Sequence, residues 1–317
     1  MTAIGLDVGG TKTAVGLVDE SGHVVRRLRV ATPHQPEEAL AAMVQAVAEL
    51  DAPGAPVGVG VAGFVDVDGS TVVAAPNLGW HDRPIGRELA DRLGVPVRVD
   101  NDANAAAWAE VRFGAAAGRA SVVAVTVGTG VGGGIVTGGV LQRGGFGAAG
   151  EVGHLVVAPG GRACPCGQRG CLEQYASGTA LVRAGRDLIA AGDSTAPGLR
   201  AACGDRADDL TGPMITDLAA AGDPGARSLL AGLGDWLGVG LAALATLLDP
   251  ECFVIGGGVV EAGEDLLGPA RESLARRLST GRRVAEVLPA RMGNDAGMIG
   301  AADLARTELA SEPMDTA

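Results

Sequence analysis

Residues 3–30 read AIGLDVGGTKTAVGLVDESGHVVRRLRV, and residues 121–141 read SVVAVTVGTGVGGGIVTGGVL. In the first stretch β-branched and apolar residues alternate around a glycine cluster and a turn at 19–22, which predicts three strands joined by tight turns. The second stretch repeats the succession of strand, Thr/Gly turn, strand and further turn. A unit that recurs within one chain predicts an internally duplicated fold.

Working outward, residues 36–50 (PEEALAAMVQAVAEL) place Leu40, Met43, Val44, Val47 and Leu50 on one helical stripe. Short apolar strands follow at 57–61 and 97–99, and a helix over 102–113 starts directly after the second, so the first half reads as a sheet with crossover helices. The second half continues with an apolar helix at 235–248, a strand from 251, a helix over 264–278, a strand at 284–288 and a last helix from about 296. Residues 192–213, rich in Gly, Ala, Asp and Pro, read as an irregular excursion, and the tail beyond Glu308 as frayed.

With 317 residues and 47% hydrophobic composition the chain can bury a sizeable core, and its length suggests two domains, although one large domain fits as well. The N-terminus lacks a basic region followed by an apolar run and a small-residue cleavage site, so no signal peptide and a cytoplasmic location are expected. The apolar run at 236–248 is too short to span a bilayer and reads as a buried core helix. A formal charge of -12 and 3% aromatic residues argue against a nucleic-acid partner.

Three glycine clusters follow predicted strands: Asp7-Val8-Gly9-Gly10-Thr11-Lys12, residues 127–134 with Thr129 and Gly130, and Ile255-Gly256-Gly257-Gly258. Each could offer bare backbone N–H groups to phosphate, or be an ordinary tight turn. Lys12 is the only lysine in the chain. Asp7 could hold Mg²⁺ through water beside a bound phosphate, or cap the turn. In Asp100-Asn101-Asp102-Ala103-Asn104 one residue is needed as a helix N-cap, and a carboxylate at this strand end is placed to take a hydroxyl proton. CPCGQRGC at 164–171 holds three of the five cysteines. A reducing compartment does not sustain a disulfide scaffold and no C-x-x-C pair is present, so metal binding is favoured over redox chemistry.

Taken in order, DVGGTK from Asp7, VDNDANAAAWAE from Val99, TVGTGVGGG from Thr126, GEVGH from Gly150, CPCGQRGCLEQYASG from Cys164 and VIGGG from Val254 resemble the ROK family of sugar kinases and repressors, most closely its actinobacterial-type glucokinase branch. The resemblance covers nearly the whole chain. It implies an α/β, actin-like ATPase fold (ribonuclease H-like, duplicated) whose two domains close over sugar and ATP in a cleft. The expected division is a small N-terminal α/β domain at 1–105, a large C-terminal α/β domain at 106–295 with a zinc loop at about 150–175, and a C-terminal helix at 296–317 that packs back on the small domain.

Carried over by position, the resemblance makes Asp102 the general base on the 6-hydroxyl of glucose. Asn101, Glu151, His154 and Glu173 would hold the remaining hydroxyls, with Gly63 and Asn77 as further candidates. Asp7, Gly9, Gly10, Thr11, Lys12, Thr129, Gly130, Gly256, Gly257 and Gly258 would receive ATP with Mg²⁺. His154, Cys164, Cys166 and Cys171 would bind a structural zinc ion, and one nitrogen with three thiolates is a closed tetrahedral set. Cys203 and Cys252 lie outside the pattern as core or loop thiols. The implied partners are glucose and ATP in a homodimer or homotetramer, with polyphosphate open as a donor. Another hexose, or an N-acylated amino sugar such as N-acetylmannosamine, is the alternative substrate. A non-catalytic sugar sensor would lack the base, and the repressors carry an N-terminal helix-turn-helix for which a phosphate motif starting at Asp7 leaves no room.

Overall fold

The computed structural model describes residues 1–204 and 206–309. The tail expected to fray beyond Glu308 lies, but for Leu309, outside them. In the first half the chain forms β1 (Ala3–Val8), β2 (Lys12–Val18), β3 (Val24–Ala31), α1 (Pro36–Glu49) and β4 (Val57–Val61). A small meander of β5 (Phe64–Val65), β6 (Val72–Ala75) and β7 (Trp80–Arg83) precedes α2 (Ile85–Leu93), β8 (Val97–Asn101) and α3 (Asp102–Arg112). The main sheet runs β3-β2-β1-β4-β8, antiparallel within the opening hairpins and parallel from β1 through β4 to β8.

The second half forms β9 (Val122–Val127), β10 (Val131–Thr137), β11 (Val140–Gln142), α4 (Glu173–Ala176), α5 (Gly178–Ala190), α6 (Pro197–Ala202) and α7 (Gly212–Ala220). Then come α8 (Pro224–Leu248), β12 (Cys252–Gly256), α9 (Glu264–Arg277), β13 (Glu286–Pro289) and α10 (Ala296–Glu308). Its sheet runs β11-β10-β9-β12-β13. When only the strands of each sheet are counted in chain order, both five-stranded sheets run 3-2-1-4-5, so the duplication read from two glycine-rich hairpins extends to the whole sheet. This is the actin-like ATPase arrangement.

Two compact units result: residues 1–124, 134–150 and 291 onward form the first, and 125–133 with 151–290 the second. Residues 106–124 and 134–150 cluster with the first unit, not with the second as the expected border at 105 would have it. The physical reason is that α3 packs along α10 and that Arg143 pairs with Asp100. Asp303 of α10, fully buried, accepts hydrogen bonds from Trp108 Nε1 and Arg112 Nε of α3, each at 2.8 Å. Gly300 meets the Ala105 carbonyl and Gly58 the Ala301 carbonyl so closely that any side chain would overlap them, so α10 lies backbone to backbone on α3 and β4. On its other face the sheet is closed by α1 and the meander, with Leu6, Val8, Val59, Leu40, Met43 and Trp80 in one core.

In the second unit α8 begins eleven residues before the predicted 235. Its glycines, poor helix formers by propensity, let α9 approach: Gly234 and Gly238 face the Leu266 and Ala270 carbonyls with no room for a Cβ. Leu230, Leu233, Leu237 and Leu241 are buried, so this helix, the one among the described residues long and apolar enough to cross a membrane, is mostly filled in by its own unit. The excursion expected at 192–213 is less irregular than its composition suggests, because Pro197 starts the short helix α6 at a position where its missing N–H costs nothing.

Candidate active site

The first unit gathers one set of the expected residues. Asp7 on β1 is in register with Gly60 on β4, and Gly60 with Asp100 on β8, which brings the parallel strand ends together. Asp102 opens α3. Burial raises its carboxyl above the usual range, while the Ala103 N–H donates to its Oδ1 at 2.8 Å. Asp7 is pushed up to about 6 by burial and then by the charge of Asp102. Two carboxylates held in such surroundings suit a divalent cation with its waters, so the donor chemistry fits Mg²⁺.

Asn101 is the N-cap of α3: its Oδ1 accepts from the Ala103 and Asn104 N–H groups at 2.9 and 3.0 Å. Its Nδ2 donates to the Gly63 carbonyl at 3.0 Å, leaving one amide hydrogen for a ligand. Asn77 is exposed and borders Gly10, where a Cβ would lie 3.3 Å from the Asn77 carbonyl oxygen. The Gly9 N–H donates to the Lys12 carbonyl at 3.1 Å, closing the turn and leaving the Thr11 and Lys12 side chains in solvent.

In the second unit the other two glycine clusters come together. Gly257, at φ 85°, has no room for a side chain against the Val127 backbone, and the Gly178 N–H donates to the Gly128 carbonyl at 2.7 Å. Beside them opens a cavity of about 860 Å³, lined among others by Thr129, Gly258, Arg183, Arg186, Asp217 and Glu261. Gly130 has a second neighbour. Its α-carbon faces the Glu173 carboxylate, whose Oε2 accepts from the Val131 N–H at 3.0 Å.

Glu151 and His154 flank a single turn of 3₁₀ helix, and His154 Nε2 is 3.9 Å from Glu151 Oε2. The other ring nitrogen, Nδ1, points at Cys164 Sγ, 3.7 Å away, and Cys166 and Cys171 Sγ are also 3.7 Å apart. The four ligand atoms all lie within 4.8 Å of one another. A zinc ion ~2.3 Å from each thiolate places neighbouring sulfurs roughly 3.8 Å apart, so the cluster can hold zinc with little movement. Around it the Cys164 N–H donates to the Gln168 carbonyl at 2.9 Å, and short β-bridges join Val156 to Cys171 and Ala163 to Arg169. Burial pushes the Cys171 thiol up to about 12, whereas the hydrogen bond from the Gln168 backbone lowers exposed Cys166. A metal ion would deprotonate both. Cys203 and Cys252, outside the cluster, are buried.

A family model described as the ROK family matches residues 3–308. The chain belongs to the ROK family. Among its relatives is the glucokinase of Streptomyces coelicolor, 45% identical over 96% of this chain and 97% of that protein. A ROK family glucokinase from Streptomyces griseus, solved in complex with glucose and AMPPNP, superposes with a TM-score of 0.85 at 46% identity, covering 96% of this chain and 99% of that one. The ROK hexokinase from Thermus thermophilus gives 0.80 at 36% identity, covering 98% and 100%.

Several residues of interest escaped the sequence reading. Arg183 and Arg186 line the large cavity from one face of α5, and only their spacing of three on a helix could have paired them. Asp100 was read as part of a capping motif, and its partner Arg143 lies 43 residues further on with no local signal.

Proposed function

We propose that this ROK protein is an ATP-dependent glucokinase that transfers the γ-phosphoryl group of ATP to the 6-hydroxyl of glucose, giving glucose 6-phosphate and ADP. The observation that carries the reading is Asp102: a partly buried carboxylate at a strand-to-helix junction, its proton affinity raised, with Asp7 nearby for a cation. The full-length similarity to glucokinases supports it.

In this reading the sugar O6 forms a bond to the γ-phosphorus as the bond to the bridging β,γ-oxygen breaks, and the O6 proton passes to Asp102. Asn101 offers its remaining amide hydrogen to a sugar oxygen, and Glu151, His154 and Glu173 take the other hydroxyls, with Gly63 and Asn77 beside them. Backbone N–H groups of Gly10, Thr11, Thr129, Gly130 and Gly256, Gly257 and Gly258 receive the phosphates, Gly9 closes the first turn through its bond to the Lys12 carbonyl, and Lys12 adds a positive charge. When bound, Mg²⁺ supplies charge neutralisation of the triphosphate; Asp7 is the residue that would hold it through water. The 860 Å³ cavity takes the nucleoside. His154, Cys164, Cys166 and Cys171 would hold a zinc ion, which would fix the loop that carries Glu151 and Glu173. The division of labour between the units, a cytoplasmic location and a homodimeric or homotetrameric state belong to the same reading.

A coupled assay across a panel of hexoses, amino sugars and donors tests it. Glucose with MgATP should give the highest kcat/KM, and 6-deoxyglucose should inhibit competitively without being phosphorylated. Preference for N-acetylmannosamine would move the assignment to the amino-sugar kinases, and turnover of no sugar would make the chain a sensor.

A further inference from the structure

The carboxylate of Asp100, 3% exposed, is fully engaged. Its Oδ1 accepts from the Asn101 N–H at 2.8 Å and from Asn104 Nδ2 at 3.0 Å, and its Oδ2 from Arg143 Nε at 2.7 Å. Arg143 reaches in from the loop after β11, and its Nη2 donates to Glu308 Oε1 at 2.7 Å, near the end of α10. The Arg143 carbonyl accepts from the Ala149 N–H at 3.1 Å, so the loop that carries the guanidinium is closed on itself.

A buried ion pair is weak evidence for stability, since apolar residues of similar volume often serve as well. What this pair supplies is direction. Asp100 grips the two residues that frame Asp102: the backbone of Asn101 just before it and the side chain of Asn104 just after. Asn101 in turn caps the first turn of α3 and reaches across to the Gly63 carbonyl. Buried Asn104 Oδ1 has no hydrogen-bond partner among the described residues, so the orientation of that amide depends on the carboxylate it faces.

We propose that Arg143 is a positioning residue for phosphoryl transfer: it locks Asp100, and through Asp100 the first turn of α3, so that the Asp102 carboxylate is held at the angle the sugar hydroxyl requires. This rests on the reading of Asp102 as the base. Displacing a reacting group by about 1 Å can cost ~10²-fold, so the effect belongs in kcat and not in ground-state binding.

The experiment is a cycle of Arg143→Met, Asp102→Asn and the double variant, with kcat and both KM values measured alongside circular dichroism and melting temperature. Arg143→Met should lower kcat by roughly 10- to 100-fold, with the KM for ATP within about twofold of the parent, and Arg143→Lys should recover part of the loss. In the Asp102→Asn background the same substitution should add less than about twofold, because the group it positions is gone, whereas a purely structural role would multiply through. A folded Arg143→Met protein with kcat within about twofold of the parent would overturn the proposal while leaving Asp102 as base; an active Asp102→Asn protein would overturn both. Should Arg143→Met not fold, Arg143→Lys decides: a lowered kcat with an unchanged KM for ATP supports the role, and an unchanged kcat refutes it.

Discussion

Asp7→Asn should make the ligand-free protein more stable while impairing it as an enzyme. The folded chain holds the Asp7 proton up to a pH of about 6, whereas an ordinary aspartate gives it up near 3.8. Between those values the folded state binds more protons than the unfolded one, so stability falls as pH rises through the window and the loss is complete above it. Converted at ~1.4 kcal/mol per pH unit, the ionised Asp7 costs the fold about 3 kcal/mol at neutral pH. An amide of the same shape removes that cost. Urea unfolding followed by circular dichroism, without nucleotide or Mg²⁺, should show the variant ahead by about 2–3 kcal/mol at pH 7.5 and nearly level with the parent at pH 4. Added MgATP should narrow the gap by stabilising the parent more than the variant. A stability difference of the same size at both pH values, or a variant no more stable than the parent at pH 7.5, would refute the argument.

Three further outcomes follow from the geometry. Purified protein should carry about one zinc per chain, and Cys166→Ser should lose it, with a lower melting temperature and weaker glucose binding but nearly intact nucleotide binding, as read by metal analysis and calorimetry. Gly130→Ala should push Glu173 off the Val131 N–H, and the loss of that charge-assisted bond, about 1.5–3 kcal/mol, should lower kcat/KM for glucose roughly 10- to 100-fold with a smaller change in the KM for ATP; a larger effect on ATP would return Gly130 to the phosphate cradle alone. Gly300→Ala, which sets a methyl group into the Ala105 carbonyl, should destabilise the first unit by about 3 kcal/mol in denaturant melts, and a neutral result would mean that α10 can slide.

What could be read from the sequence was what local chemistry signals. Strands β1, β2 and β3 and their repeat are runs of β-branched residues cut by glycine, and α1 carries a clean apolar stripe; both patterns survive without tertiary information. The meander from Phe64 to Arg83 went unseen because its strands are two to four residues long and leave no room for a period. The start of α8 was missed for another reason: glycine is a breaker by propensity, and only the neighbouring backbone of α9 shows why it is tolerated. At the site, the zinc ligands stood out because four soft or borderline donors with tight spacing are rare. Asp100 did not, since a buried carboxylate and a capping one look alike until the distant arginine is placed beside it.

The way α10 completes the first unit also sets a schedule for biosynthesis. The surface of β1 and β4 that receives it emerges from the ribosome about 235 residues before the helix does, a delay of roughly 10–50 s at ordinary elongation rates. During that interval the continuous stretch 151–290 of the second unit can fold, while the opening sheet has one bare face fitted, through Gly58, to a helix not yet made. A nascent chain that has emerged only as far as residue 295 would therefore present a complete second unit and an unfinished first one, and that open sheet is the surface on which a chaperone would have to act.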